Sequence, residues 1–454
     1  MLTRARTRRP RGAWRRRSAA LTAAAIAGCS AATLGPAGFA RADMVRSTEM
    51  WVLEEMNVQP AWNITEGQGV LVAVIDSGVN PSVSDLAGNV IAGPDYSGVH
   101  TPPTSPDWGQ HGTWMASLIA GHGHDGGSGI IGMAPKSKVL SIRVITDSDD
   151  PNDAAYEREP AAQGQRELAR AIRYAVAKHA QVISMSLGYS QQSVPVRAAL
   201  QDAYQHNVVV VASAGNSEDL AGADDGSAPY SFPANYPGVL GVAAVNSSGQ
   251  VASFSSQNLS VQVAAPGDRV PAQGRDGNYW YVSGTSPACA LTAGVVALIK
   301  AKYPQLTDSQ VITAITSSTT PSSRPPGGYN EQIGFGVVNA ADALTAAGRL
   351  ASAAPPRAGV PLTDHFGGGL SAIPAAPVPP RGPASLVLYC LLGAACLTAV
   401  ATATSRLLMQ REATPSALNG PGDPLGPGGS QGAAAPPAKH AAPHGRGNQL
   451  GGPS

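Results

Sequence analysis

The sequence predicts an α/β domain in which a central, mostly parallel sheet is flanked by helices on both faces, followed by one transmembrane helix. Two observations lead to this prediction. Short runs of apolar, mostly β-branched residues alternate through the middle of the chain with segments of helical composition, which is typical of a parallel sheet. A separate uncharged, largely apolar run at 384–405 is long enough to cross a bilayer.

The first strong element is the unbroken apolar run 70–75, which predicts a strand buried on both faces and therefore central in the sheet. The other predicted strands are 139–145, 182–186, 208–213 and 239–245. The predicted helices are 114–120, 167–180, 196–206, 291–303 and 308–318, with a last one that follows 334–340 and ends near Leu344.

The folded unit is predicted to span residues 43–347, because only this part of the chain has the apolar content for a large core. The whole chain carries 31 Lys+Arg and 30 Asp+Glu. Nine arginines and no acid lie in residues 1–42, so the remainder carries 22 basic residues against 30 acidic ones. This mildly acidic body argues against a nucleic-acid partner.

Residues 1–42 are predicted to be an export signal. An arginine-rich start at 1–17 is followed by the uncharged stretch 18–40 and by a suitable cleavage site before Asp43. Two alternatives stay open: Cys29 lies in a sequence similar to a bacterial lipidation box, and the uncharged stretch is nearly long enough to remain in the membrane uncleaved. All three readings predict a protein that is exported.

Three further segments are predicted after the folded unit. Residues 348–383 are rich in Ala, Pro and Gly and predict an extended linker. Residues 384–405 predict a single membrane helix, and the basic residues just after it favour a cytoplasmic C-terminus, although an arginine also precedes it. The Gly- and Pro-rich tail 406–454 is predicted to be disordered.

Four polar residues occur where predicted strands end or helices begin, which are good positions for catalysis. Asp76 follows the central strand, where open α/β sheets bind ligands, although Asp-Ser-Gly also forms turns. His111 opens a helix whose dipole helps to keep the ring neutral and basic. Asn216 ends another strand and either donates an N–H into the same cleft or forms a turn. Ser286 precedes an apolar helix, where free N–H groups favour negative charge, although Gly-Thr-Ser also caps helices.

Other polar groups have simpler interpretations. Cys289 is more often a core-filling residue than a nucleophile, and it is the only cysteine within the predicted folded unit. His122 and His124 lie in the glycine-rich stretch 121–132, which predicts a mobile polar loop and not a metal site. The acidic segment 146–165 is predicted to be a solvated excursion or, as the alternative, a flap over a substrate groove.

Five short motifs resemble those of the subtilisin-like serine proteases, and the resemblance covers about residues 50–347. The motifs are Asp76-Ser77-Gly78, His111-Gly112-Thr113, Ser184-Met185-Ser186-Leu187-Gly188, Ala214-Gly215-Asn216 and Gly284-Thr285-Ser286. The resemblance implies a subtilisin-like three-layer fold, a catalytic triad of Asp76, His111 and Ser286, and an oxyanion donor at Asn216. It implies substrate-binding roles for Ser186, Leu187, Gly188, Ser213, Ala214 and Gly215. No metal or other cofactor is expected.

The order of segments narrows the resemblance to the mycosins, the membrane-anchored subtilases of type VII secretion systems. This implies an endopeptidase that acts on proteins outside the cytoplasmic membrane, linked to a secretion complex. Two alternatives stay open: a structural subunit that stabilises the secretion channel, and a surface-tethered degradative protease. Pro287 and Ala290 depart from the family pattern beside the nucleophile, Gln110 replaces a frequent glycine, and the disulfides common in mycosins are absent.

Overall fold

The structure is a computed structural model that describes residues 37–218, 228–353 and 446–449. Its strands are β1 Leu71–Asp76, β2 Val90–Asp95, β3 His122–His124, β4 Ser128–Ile131, β5 Lys138–Arg143, β6 Val182–Met185, β7 Val209–Ser213, β8 Val239–Val245, β9 Val263–Pro266, β10 Val270–Gln273, β11 Tyr279–Ser283 and β12 Arg446–Gln449. In the main sheet seven strands pair in the order β2-β5-β1-β6-β7-β8-β9, and every pair is parallel. The predicted α/β class with a central parallel sheet is confirmed.

Helices cover both faces of this sheet and make three layers. They are α1 Ala37–Glu55, α2 Val58–Trp62, α3 Gln110–Ala120, α4 Asp153–Tyr156, α5 Ala161–Ala177, α6 Val194–Gln205, α7 Thr285–Lys302, α8 Asp308–Thr316 and α9 Ala340–Ser352. One face packs against α3, α7, α8 and α9, and the other packs against α5 and α6.

Strand β1 shows why the sheet is buried on both sides. Val72 and Val74 belong to the hydrophobic cluster with α3 and α7, whereas Ala73 and Ile75 belong to the cluster with α5. Successive side chains of a strand point to opposite faces, so an unbroken apolar run packs into the hydrophobic clusters on both faces of the sheet. The predicted central strand is confirmed, and β8 has the predicted bounds 239–245.

The two helices that carry candidate residues begin earlier than predicted. Helix α3 starts at Gln110 and not at 114, and α7 starts at Thr285 and not at 291. His111 and Ser286 therefore lie within the first turns of helices. Helix α9 continues to Ser352, past the predicted boundary at 347, because Leu350 packs against the core.

Several elements were not predicted from the sequence. These are the leader helix α1, the edge strand β2, the strand β9, and the antiparallel pair β10–β11. Helix α1 begins at Ala37 and so runs across the predicted end of the export signal at Ala42. The stretch 121–132 is not a loop, because β3 and β4 form a hairpin in which His124 Nδ1 contacts buried Asp85 at 2.6 Å.

The prediction that the acidic segment 146–165 is solvated is wrong at Asp147 and Asp150. Asp147 and Asp150 are 5 % exposed and therefore buried. Asp150 forms an ion pair with Arg143, which is itself buried, at 2.6 Å. A carboxylate is buried at low cost only where cations or N–H donors pair with it, and here other elements of the fold supply those partners.

The C-terminal region differs from the prediction at one place. Residues Arg446–Gln449 form β12, which pairs antiparallel with β11, whereas the tail 406–454 was expected to be disordered. The physical reason is that β11 is otherwise an edge strand, whose free N–H and C=O groups accept an extended segment. The predicted membrane helix 384–405 and most of the predicted linker lie outside the described residues. Among the described helices, none is long and apolar enough to cross a membrane.

Candidate active site

The sheet brings three candidate segments to one edge. Strands β1, β6 and β7 are neighbours and parallel, so their carboxyl ends lie side by side. Asp76 is the last residue of β1, Ser186 directly follows β6, and Asn216 lies three residues after β7. Polar residues that are far apart in sequence therefore meet at the edge where parallel sheets bind ligands.

Asp76 and His111 form a buried pair. The Nδ1 atom of His111 lies 2.7 Å from Oδ1 of Asp76, and the two side chains are 5 % and 1 % exposed. We infer that Nδ1 carries the proton, because an ionised carboxylate only accepts hydrogen bonds. The other nitrogen, Nε2, is then an acceptor that can take a proton, as a general base must.

The environment of His111 favours its protonated form. Burial lowers the pKa of the ring, but the charge and hydrogen bond of Asp76, and then the charge of Asp147, raise it, and the net direction is upward. A raised pKa makes the ring a stronger base at the cost of a smaller neutral fraction at neutral pH. Asp76 is thus placed to stabilise an imidazolium at His111.

The first turn of α3 packs directly onto the turn after β1. Any side chain at Gly112 would collide with the carbonyl oxygen of Gly78, and the Gly112 N–H donates to Ser77 Oγ at 3.1 Å. Glycine is therefore required in the His-Gly-Thr motif, because only glycine allows the two backbones to approach this closely. This contact sets the position of the His111 backbone relative to Asp76.

Ser286 lies in the first turn of α7 and is 4 % exposed. Its hydroxyl donates to the carbonyl oxygen of Ser186 at 3.3 Å, and Ser186 Oγ donates to the carbonyl oxygen of Ser286 at 3.0 Å. In this conformation the Ser286 proton points to that carbonyl and not to His111. The Ser286 hydroxyl must therefore release this carbonyl before His111 can receive its proton.

Cys289, one turn beyond Ser286, does not compete as a nucleophile. Its side chain is fully buried beside Ser184, and burial raises the pKa of the thiol to about 11. The thiolate is the reactive form of cysteine, so a raised pKa makes this residue inert at neutral pH. The prediction that Cys289 fills the core is confirmed.

Two hydrogen-bond donors converge beside the serine. Oδ1 of Asn216 accepts the backbone N–H of Thr285 at 2.8 Å and its hydroxyl at 2.9 Å, which fixes the orientation of the amide. A Cβ atom built on Gly284 would lie 3.2 Å from Asn216 Nδ2 and 3.7 Å from the backbone nitrogen of Ser286. Both nitrogens therefore lie within 4 Å of one point. This arrangement can stabilise an oxyanion.

The two predicted substrate-binding segments face a common residue. Ser186, Leu187 and Gly188 follow β6, and Ser213, Ala214 and Gly215 end β7 and continue beyond it. A Cβ on Gly188 would collide with Ser231 Oγ, and a Cβ on Gly215 would lie 3.4 Å from Ser231 Cβ. Ser231 thus occupies the space between the segments, and no sequence signal identified it.

Among the described residues, no group of three or more His, Cys, Asp and Glu side chains is arranged to hold a metal ion.

The sequence gave no indication that Asp147 belongs to the site. Its carboxylate contacts the start of α3. Its aspartate-rich surroundings are typical of solvent-exposed loops. Its backbone partners, the N–H groups of Gln110 and His111, come from a distant segment of the chain.

Known proteins are similar to this chain in sequence and in fold. The model of the Subtilase family matches residues 67–336. Subtilisin E from Bacillus subtilis (strain 168) is 34 % identical over 254 residues, which is 56 % of this chain and 61 % of that protein. The chain thus spans about three fifths of the length of such relatives.

Two solved structures are also similar. MycP1 from Mycobacterium smegmatis has a TM-score of 0.54 and 30 % identity, covering 65 % of this chain and 84 % of that one. The MycP3 protease from the type VII (ESX-3) secretion system has a TM-score of 0.55 and 30 % identity, covering 65 % and 87 %.

Proposed function

Since the chain belongs to the subtilase family, we propose that it is a serine endopeptidase whose catalytic triad is Asp76, His111 and Ser286. The observation that carries this proposal is the buried 2.7 Å contact between His111 and Asp76, made at the sheet edge where the first turn of α7 carries Ser286. Acyl transfer requires a base held by a carboxylate and a serine with oxyanion donors, and this edge of the sheet carries all of these groups.

The reaction proceeds in two halves. Ser286 Oγ attacks the peptide carbonyl while His111 Nε2 takes its proton, and Asp76 stabilises the resulting imidazolium. The carbonyl oxygen becomes negatively charged and is stabilised by the Asn216 amide and the Ser286 N–H. His111 then returns the proton to the leaving amine, which departs and leaves an acyl ester on Ser286. A water molecule, deprotonated by His111, hydrolyses this ester and restores the enzyme.

Substitution of Asn216 tests the oxyanion role. We expect Asn216→Ala to lower kcat by about 100- to 1000-fold with little change in KM, the size of effect known for the corresponding donor of subtilisin. Peptide hydrolysis and fluorophosphonate labelling of Ser286 measure the effect. Asn278→Ala, at an exposed asparagine, is the matched control and should behave like wild type. Near-normal turnover of Asn216→Ala would refute the assignment.

We further propose that the enzyme acts outside the cytoplasmic membrane, anchored by residues 384–405 and linked to type VII secretion. The support is the predicted export signal, the predicted membrane helix, and the similarity to MycP1 of the type VII (ESX-1) secretion system and to MycP3 of the type VII (ESX-3) system. A C-terminal epitope tag tests the topology. Protection of the tag from external protease supports a cytoplasmic tail, whereas cleavage supports the pairing of β12 with β11.

A structural role in a secretion complex is a second candidate. It is favoured by the Ser286 hydroxyl, which donates its hydrogen bond to the carbonyl oxygen of Ser186. A strain that carries Ser286→Ala separates the two functions. Intact export would show that the protein supports secretion without the triad, and loss of substrate processing would show that catalysis is needed.

A further inference from the structure

The start of α3, which carries His111, is held by a carboxylate from another part of the chain. Oδ2 of Asp147 accepts the backbone N–H of Gln110 at 2.7 Å, and Oδ1 accepts the N–H of His111 at 2.9 Å. Asp147 follows β5 and is 36 positions away from His111. We propose that Asp147 is a positioning residue that fixes the catalytic histidine in place, which rests on the proposed function of His111.

Helix α3 has no capping side chain of its own. Its N-cap residue is Gly109, which adopts a left-handed conformation and has no side chain to accept a hydrogen bond. The first N–H groups of a helix need acceptors, and they are costly to bury without them. Both oxygens of one buried carboxylate meet this need, so the backbone is held at Gln110 and at His111.

The charge of Asp147 is balanced from a third segment. Arg275, in the turn between β10 and β11, places Nη1 3.8 Å from Oδ2 of Asp147. The same guanidinium contacts Asp149 at 2.7 Å and Asp107 at 3.7 Å, and the Arg275 backbone N–H donates to Gln110 Oε1. The carboxylate is thus part of a network built around the start of α3.

This placement also affects the chemistry of the ring. Two carboxylates act on His111, Asp76 from β1 and Asp147 from the loop after β5, and each raises its pKa against the effect of burial. Burial raises the pKa of Asp147 itself, against the two N–H donors. Arg275 is the nearby cation. Removing the Asp147 charge should therefore lower the His111 pKa, and removing Arg275 should raise it.

The test compares Asp147→Asn with Asp149→Asn in the detergent-solubilised full-length protein. Asparagine retains one acceptor and the shape of the side chain but loses the charge and the second acceptor. We expect Asp147→Asn to lower kcat about ten- to a hundredfold with a small change in KM, because a displaced base reacts poorly. The acid limb of kcat/KM should move to lower pH by on the order of one unit.

Asp149→Asn is the matched control, because its side chain is 58 % exposed and contacts Arg275 without contacting α3. It should leave kcat and the acid limb within about twofold and about 0.2 units of wild type. Arg275→Gln should move the acid limb in the opposite direction, to higher pH. A merely structural cap would lower the melting temperature of Asp147→Asn without moving the acid limb, and that result would overturn the inference.

The pH dependence of fluorophosphonate labelling and histidine-ring NMR, assigned with His111→Ala, report the same His111 pKa without a peptide substrate. If the wild-type protein neither hydrolyses peptides nor reacts with the fluorophosphonate, the proposed function fails. The His111 pKa measured by NMR in wild type and in Asp147→Asn still decides whether Asp147 acts on His111. If wild type is active and Asp147→Asn matches it in rate and pH profile, only this inference fails.

Discussion

A buried glutamate in the leader helix should make the stability of this protein depend strongly on pH. Glu49 of α1 is 2 % exposed, accepts the backbone N–H of Ile131 in the β3–β4 hairpin, and lies 3.3 Å from Arg46. Burial raises its pKa from 4.5 to about 8, although the Ile131 N–H and Arg46 oppose this shift. The perturbation is Glu49→Gln, which keeps an acceptor for Ile131 and removes the titration.

The sign and size of the effect follow from the two pKa values. The folded protein keeps a proton on Glu49 that the unfolded chain releases. The contribution of Glu49 to the free energy of unfolding is therefore fully present below the ordinary pKa and is lost as pH rises through about 8. Each pH unit between these values costs about 1.4 kcal/mol. Between about pH 6 and pH 8 the contribution is therefore about 2 to 3 kcal/mol in favour of the lower pH.

Urea unfolding followed by tryptophan fluorescence measures this difference. The Ser286→Ala background prevents self-digestion, and Glu54→Gln, at an exposed position in the same helix, serves as the control. Wild type and the control should lose about 2 to 3 kcal/mol more than Glu49→Gln over this pH range. Equal pH dependence in all three proteins would refute a proton held on buried Glu49.

Two further predictions concern the framework around the site. Arg143→Met leaves Asp150 buried without its cation and should lower the free energy of unfolding by about 3 to 5 kcal/mol in the same urea assay. The double variant Arg143→Met with Asp150→Leu should regain most of this lost free energy, because no unpaired charge stays buried. Gly284→Ala places a methyl group between the Asn216 amide and the Ser286 N–H and should lower peptide turnover about a hundredfold. Gly277→Ala, another positive-φ glycine but with open space around it, should retain turnover, and equal losses in both variants would contradict the steric reason.

The candidate site was largely predictable because its residues occupy local positions that the sequence reveals. A buried strand followed by Asp76, and an apolar helix preceded by Ser286, are patterns within short windows. The first turn of each helix was less predictable, since His111 and Ser286 lie in glycine- and serine-containing segments of low helix propensity. Tertiary contacts at Gly112 and Asn216 extend both helices over these residues.

By itself the sequence predicted the parallel sheet and marked Asp76, His111, Asn216 and Ser286 as candidate site residues, because apolar periodicity and turn chemistry are local properties. Only the tertiary structure decided which acidic residues are buried. Asp147 and Asp149 stand in the same polar stretch, yet one caps the helix of the base and the other is exposed to solvent. The physical reason is that a carboxylate is buried where N–H donors and cations converge, and those come from distant segments of the chain.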